Sequence, residues 1–324
     1  MNISLQPLTS LVIGIDGGGT KTVAWLAACG DGSLPNNAVI LGKGSGGPSN
    51  QRAVGPVMAL HNLDAAIESA FADAGLPRAT VAAACLGLAG ADRDSDRRVI
   101  EDWASFSRLA AAVQVVNDAV PLLHVDQGDG CGVALIAGTG SLAFGCNGKG
   151  QTARSGGWGY LFSDEGSAFS IGRAVLNAVS RAVDGRGEQT RLVADVIEHL
   201  KLSAPQDIVT AVYGHEVPRA VVANMAPLGF AAAARRDKVA MEILKQAAAE
   251  LAAMAIVTAR RLEMQSMLCL AFTGSVLIQN PEFRQQVLAE IEAAGIKLFQ
   301  TTVVEDPVAG ALNIAARLAS AACA

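Results

Sequence analysis

The sequence lacks the marks of several protein classes. Its six cysteines, at 29, 85, 131, 146, 269 and 323, are scattered and form no C-x-x-C. Its four histidines, at 61, 124, 199 and 215, are not spaced as metal ligands. A zinc site and a disulfide framework are both unsupported, and a cytoplasmic protein is expected. No block of Lys or Arg stands out, and the formal net charge is −5, so nucleic acid and anionic membrane are not expected partners. The N-terminus shows no basic region followed by an apolar core, so no signal peptide is expected. The uncharged apolar-rich run at residues 220–234 is too short for a bilayer and contains Asn224 and Pro227. No G-x-x-x-x-G-K-[ST] occurs, which excludes a P-loop.

What is present points to a two-domain chain. With 324 residues it exceeds the usual limit for a single core, and an apolar content of 51% can supply two cores. The organising stretch is residues 11–25. Two apolar runs flank Asp16-Gly-Gly-Gly-Thr20, a pattern that predicts a β-hairpin with a glycine turn. Gly17, Gly18 and Gly19 bare their backbone N–H groups to an anion, and Thr20 adds a hydroxyl. Asp16 sits at the mouth, where a carboxylate can hold Mg²⁺ directly or through water. Residues 133–145 repeat the design about Gly138-Thr-Gly-Ser141, roughly 120 residues later, which suggests two related halves. Each half would give one phosphate-cradling turn, with the nucleotide clamped in a cleft between them. The string Gly138 to Ala143 also matches the dinucleotide fingerprint G-x-G-x-x-A. That motif must open a helix, and the turn at 147–150 favours a strand here instead.

Between the hairpins, residues 31–33 read as a turn, 38–41 as a short strand and 42–50 as a glycine-rich loop, on composition a linker. Residues 53–74 have helical periodicity, 81–88 form a buried strand, 94–108 an amphipathic helix and 113–116 another strand. Asp118 follows that strand's C-terminal end, where ligand sites in open α/β sheets collect. It is a candidate general base or the N-cap of the next segment, the cap being the commoner role for such a residue. The segment Ser155-Gly-Gly-Trp-Gly-Tyr-Leu-Phe-Ser-Asp-Glu-Gly-Ser167 makes a poor core. Ser163 or Asp164 is expected to cap a helix over 165–183, and Asp164 can still meet sugar hydroxyls. Short helices are expected near 190–200, 204–213 and 217–224, a long one over 237–264, and further helices over 281–294 and 308–322. Strands are expected at 269–273 and 301–304, with Gly274-Ser-Val276 as an exit turn. The pattern predicts mixed sheets faced by helices, an α/β protein.

Taken in order, Asp16-Gly-Gly-Gly-Thr20, Asn117-Asp118, Gly138-Thr-Gly-Ser141, Gly156-Gly-Trp-Gly159 with Asp164-Glu-Gly-Ser167, and Gly274-Ser-Val276 resemble one family. This is the N-acetylglucosamine kinases and their bacterial glucosamine-kinase relatives, in the actin-like, hexokinase-like ATPase superfamily. The resemblance spans residues 11–312. It implies two actin-like (ribonuclease H-like) domains around a central cleft. One would cover 1–119 with the helix 308–324 packing back on it, the other 120–307. It implies ATP and an amino sugar as substrates, Mg²⁺ at Asp16, and a homodimer. Asp118 would be the catalytic base facing the sugar 6-hydroxyl. Asn50, Gly157, Trp158 and Asp164 would line the sugar pocket with it. Residues 17–20 and Gly138, Thr139 and Gly140 would hold phosphates, while Ala223, Gly274 and Ser275 would meet the nucleotide. Glucosamine kinase is the nearer alternative to N-acetylglucosamine kinase. A non-catalytic sugar-sensing ATPase is the alternative of another class.

Overall fold

The protein is described by a computed structural model covering residues 10–29, 39–91, 93–125, 130–214 and 218–323. The turn expected at 31–33 lies outside these. The chain divides into two units, Met1–Gly130 with Asp306–Ala324, and Cys131–Glu305.

The first unit begins with the hairpin β1 (Ser10–Gly17) and β2 (Thr22–Cys29), paired antiparallel from Ser10↔Cys29 to Gly17↔Thr22. β3 (Val39–Gly46) then pairs antiparallel with β2. The expected linker is therefore largely strand. The reason lies in the period of its glycines. Gly42, Gly44 and Gly46 alternate along β3 and face the helix that follows. A Cβ on them would lie 2.2 Å from Ala70 O, 2.1 Å from Ala66 O and 2.3 Å from Asn62 O respectively. Only bare backbone lets strand and helix approach this closely. The expected helix over 53–74 is interrupted at Gly55 (φ 78°), giving α1 (Gln51–Val54) and α2 (Pro56–Asp73). β4 (Val81–Leu88), α3 (Asp94–Phe106) and β5 (Ala110–Asn117) follow, and a 3₁₀ turn covers Pro121–His124.

The strand order is β3-β2-β1-β4-β5, with β1–β4 and β4–β5 parallel. β4 lies inside the sheet between β1 and β5 with both faces covered, which is why its sequence is a continuous apolar run rather than an alternating one. One face packs Ile13, Ile15, Leu26 and Leu86 against Leu63, Ile67 and Phe71 of α2 and Ile100 of α3. The other face is covered from far along the chain. The C-terminal helix, Pro307–Cys323, lays Val308, Ala311, Leu312 and Ala315 on Val12, Ala27, Ala83 and Cys85.

The second unit repeats this plan. β6 (Gly132–Ala137) and β7 (Ser141–Cys146) form the hairpin, and β8 (Thr152–Gly156) adds antiparallel to β7. After a long helical stretch, β9 (Leu268–Thr273) pairs parallel with β6 and β10 (Leu298–Val303) pairs parallel with β9. Taken from its far edge, the order β8-β7-β6-β9-β10 matches that of the first sheet strand for strand, in order and in sense of pairing. The internal repeat read from the two hairpins thus extends to whole sheets.

Between β8 and β9 lie α4 (Ala168–Val183), α5 (Leu192–Leu200), α6 (Ile208–Tyr213), α7 (Pro218–Ala223), α8 (Ala226–Ala234) and α9 (Lys238–Arg261). α10 (Ser275–Gln279) and α11 (Pro281–Ala293) join the last two strands. Leu251 and Ala255 of α9 and Phe283, Val287 and Ile291 of α11 close the core against Val133, Leu135, Leu270 and Phe272. The residues expected as an exit turn after β9 instead start α10. Gly274 (φ 91°) makes the change of direction, and a Cβ there would lie 2.4 Å from Ala137 O. No helix among the described residues is long and apolar enough to cross a membrane.

Candidate active site

In the first unit the glycine turn closes on itself and is then tied to two neighbouring segments. Gly18 N donates to Lys21 O at 3.0 Å. Gly17 O accepts from Ala89 N at 2.8 Å, and Gly18 O accepts from Ser49 N at 3.1 Å and Asn50 N at 3.2 Å. Thr22 Oγ1, fully buried, donates to Gly47 O at 2.7 Å. Residues 47–50 are therefore part of the turn's frame. Ser49 is 1% exposed, and a Cβ on Gly17 would lie 2.1 Å from its Oγ. Gly19 and Thr20 are left exposed at the tip, with their polar groups accessible to a ligand. Asn50 Oδ1 accepts from Arg52 N at 3.0 Å, capping the single turn of α1.

Two carboxylates meet at the ends of this sheet's strands. Asp16 lies next to the end of β1, aligned with Gly87 of β4, and Asp118 follows β5 directly. Burial and the negative charge of Asp118 push the Asp16 carboxyl up to about 7, against a smaller downward pull from Lys21. The cap weighed for Asp118 is not made: the 3₁₀ turn that follows has Val120 at its N-cap with no side-chain bond, and Asn117 closes the turn leading into it. Asn117 Oδ1 accepts from Ala119 N at 2.9 Å, and Asn117 O accepts from Val120 N at 3.0 Å. Two mutually repelling carboxylates, one of them desolvated, suit a hard divalent cation with oxygen ligands. Mg²⁺ commonly uses one or two protein carboxylates and fills its other positions with water and phosphate oxygens. Among the described residues no group of three or more His, Cys, Asp or Glu could hold a metal. The donor set thus fits Mg²⁺ carried with a phosphate ligand and not a closed protein cage.

The second unit's turn is held differently. Gly138 N donates to Gly140 O at 2.9 Å, and Gly138 O accepts from Ala168 N at 2.8 Å, at the start of α4. Thr139 is exposed at the tip. Ser141 Oγ donates to Glu165 O at 2.6 Å, and Ser141 N donates to Asp164 Oδ1 at 3.4 Å. Asp164 is 3% exposed, has φ 63°, and accepts from Arg219 Nη2 of α7 at 3.2 Å through its other oxygen. Burial raises its carboxyl above the usual range, while the Ser141 amide and the Arg219 charge oppose that rise. The expected helix cap at Ser163 or Asp164 is supplied by Ser167, whose Oγ accepts from Ser170 N at 3.2 Å.

The remaining candidates are placed unevenly. Gly157 O accepts from Arg154 Nη2 at 2.7 Å, and Trp158 stands 74% exposed, free to cover a ligand. Gly274 lies against the backbone of residues 137–138, beside the turn, and Ser275 opens α10. Ala223 ends α7 and is buried. Three features escaped sequence reading: the pinning of residues 49–50 to Gly18, the turn closed by Asn117, and Arg219. The last carries no motif and is joined to Asp164 across 55 residues.

Known proteins resemble this chain over most of its length. An N-acetylmuramic acid/N-acetylglucosamine kinase from Clostridium acetobutylicum is 33% identical over 83% of this chain and 86% of its own length. An N-acetyl-D-glucosamine kinase from Dictyostelium discoideum is 32% identical over 74% of this chain and 76% of its own. A solved structure from Chromobacterium violaceum, provisionally assigned as an N-acetylglucosamine kinase, superposes with a TM-score of 0.72 at 28% identity, covering 97% of this chain and all of that one. The family profile of the BadF/BadG/BcrA/BcrD ATPases matches residues 13–312. With its two glycine turns and paired sheets, this chain belongs to the BadF/BadG/BcrA/BcrD ATPase family.

Proposed function

We propose that the protein transfers the γ-phosphoryl group of ATP to the 6-hydroxyl of N-acetylglucosamine. The observation that carries this reading is the Asp16–Asp118 pair at the strand ends beside the first glycine turn. One carboxylate suits a metal that travels with phosphate, and the other suits a base for an alcohol. The names of the relatives give the acceptor class.

In this mechanism Asp118 accepts the 6-hydroxyl proton as that oxygen attacks the γ-phosphorus, and the bond to the β-bridging oxygen breaks to release ADP. Asn117 holds the backbone at Asp118 through its two bonds to residues 119 and 120. The amides and hydroxyls at the exposed tips of the two turns, Gly19, Thr20 and Thr139, hold phosphate oxygens, while the amides of Gly18 and Gly138 are engaged in closing the turns and fix them beforehand. Asp16 would hold Mg²⁺, which when bound offsets charge on the β- and γ-phosphates. Asn50, Gly157, Trp158 and Asp164 orient the sugar, Asp164 from its buried position and Trp158 by an aromatic face.

A coupled ADP-release assay tests this, run in parallel with N-acetylglucosamine, glucosamine, N-acetylmuramic acid, N-acetylmannosamine and glucose. Turnover highest with N-acetylglucosamine is the expected result. Highest turnover with glucosamine would move the acceptor to the free amine. Nucleotide binding with no sugar-stimulated turnover would make the protein a sensor and overturn the reading.

A further inference from the structure

We propose that Arg219 is a positioning residue for the nucleotide, acting through Asp164 on the second glycine turn. This rests on the reading above that the tip of that turn, at Thr139, holds phosphate oxygens. Asp164 is the only side chain in the described residues seen to grip the turn's exit directly, through Ser141 N. A Cβ on Gly140 would lie 2.9 Å from Asp164 Oδ2, so carboxylate and turn are packed together with no slack. Such a carboxylate holds its place only while its charge is balanced. Arg219 supplies that balance at 3.2 Å.

The arginine is itself held in a fixed plane. Its guanidinium carbon lies 4.9 Å from the centre of the Tyr160 ring, and Tyr160 packs edge-on against Phe169 of α4 at 5.1 Å. Its Nε is buried and meets no acceptor among the described residues. A buried unpartnered donor costs about 1–3 kcal/mol, which makes an arginine retained for packing alone a poor choice here. α7 carries both Arg219 and Ala223. The chain of contacts therefore runs from α7 through Arg219 and Asp164 to the amide that closes the turn.

The test is a double-mutant cycle on the full chain, with Arg219→Gln, Asp164→Asn and both together. Affinity for ADP and for a non-hydrolysable ATP analogue is measured by calorimetry. Each single change is expected to weaken nucleotide binding by about tenfold, and the pair by no more than about threefold beyond either single, because the two act as a unit. In Arg219→Gln, KM for ATP should rise about tenfold while KM for the sugar moves by less than about twofold. The acid limb of kcat/KM for ATP should move to higher pH in Arg219→Gln. There Asp164, already raised by burial and Glu165, keeps only Arg154 as a nearby cation. Unchanged nucleotide affinity in Arg219→Gln, or losses that simply add in the double variant, would overturn the proposal. Should Arg219→Gln fail to fold, Arg219→Lys decides. It keeps the charge but loses the stacked plane, so an intermediate loss of about threefold is expected and wild-type affinity overturns the idea. A wild-type chain that binds nucleotide yet phosphorylates no hexosamine would defeat the kinase reading and leave this cycle fully informative.

Discussion

The two glycine turns are built on the same hairpin, in sheets of the same strand order, yet they are secured by opposite means. In the first unit backbone does the holding. Three amides from residues 49, 50 and 89 reach the carbonyls of Gly17 and Gly18. In the second unit a charged side chain takes much of that part, with Asp164 on Ser141 N and Arg219 behind it. Backbone clamps resist substitution of their own side chains but are vulnerable to added volume at the glycine. A carboxylate clamp has the reverse profile, since it fails when its charge is removed. The difference follows from what the two units insert after their third strand. The first has only the short segment leading into α1 and α2. The second has a succession of helices, α4 to α9, from which an arginine can return.

The largest effect should separate the units by chemistry. Asp118→Asn is expected to lower kcat by ~10²-fold or more with little change in KM for the sugar. The exposed Glu305, shortly beyond β10 at the corresponding exit of the second sheet, should tolerate Glu305→Gln with activity unchanged. Near-normal turnover in Asp118→Asn would remove that residue from the mechanism. Next comes the steric contrast. Gly17→Ala places a Cβ 2.1 Å from Ser49 Oγ and 2.5 Å from Leu88 Cδ2, whereas at Gly138 the nearest atom is 4.0 Å away. Denaturant melts should show a loss of ~1–3 kcal/mol for Gly17→Ala and under ~0.5 kcal/mol for Gly138→Ala. Ser49→Gly should restore part of the first loss. Equal costs at both glycines would erase the distinction.

A smaller effect concerns pH. The Asp16 carboxyl is raised to about 7 in the folded chain, above its ordinary value of 3.8. The folded state therefore holds a proton that the unfolded chain releases, and stability falls as pH rises from about 4 to about 7. With chelator present, and after discounting for solvent reaching Asp16, the loss should be on the order of 1 kcal/mol. Asp16→Asn should flatten that slope in thermal melts, and a slope that persists would assign it to other groups. Least visible in stability is Trp158→Ala. Because the ring is 74% exposed, Tm should shift by less than about 1 °C while KM for the sugar rises.

Much of this was legible from residue order because its causes are local. The hairpins, the continuous apolar run of β4 and the carboxylates at strand ends all follow from spacing within a few residues. The glycines of β3 misled because composition marks them as a loop, while their true constraint is a helix 16 to 28 residues later. Asn117 closes the turn after β5 with its side-chain oxygen on the amide two residues on, a bond that the Asn-Asp pair offers at either position until the backbone is known. Arg219 was silent altogether. A lone arginine after an unremarkable stretch gains meaning only when the fold delivers it to a buried acid.

The first sheet receives its second covering layer from residues 307–323, which are synthesised after the whole of the other unit. On the ribosome the later-encoded unit, contiguous in the chain, can therefore complete its core first, while the earlier one waits with Val12, Ala83 and Cys85 uncovered. A holdase that shields apolar strands would find its target on β1 and β4 until residues 307–323 have emerged to cover them.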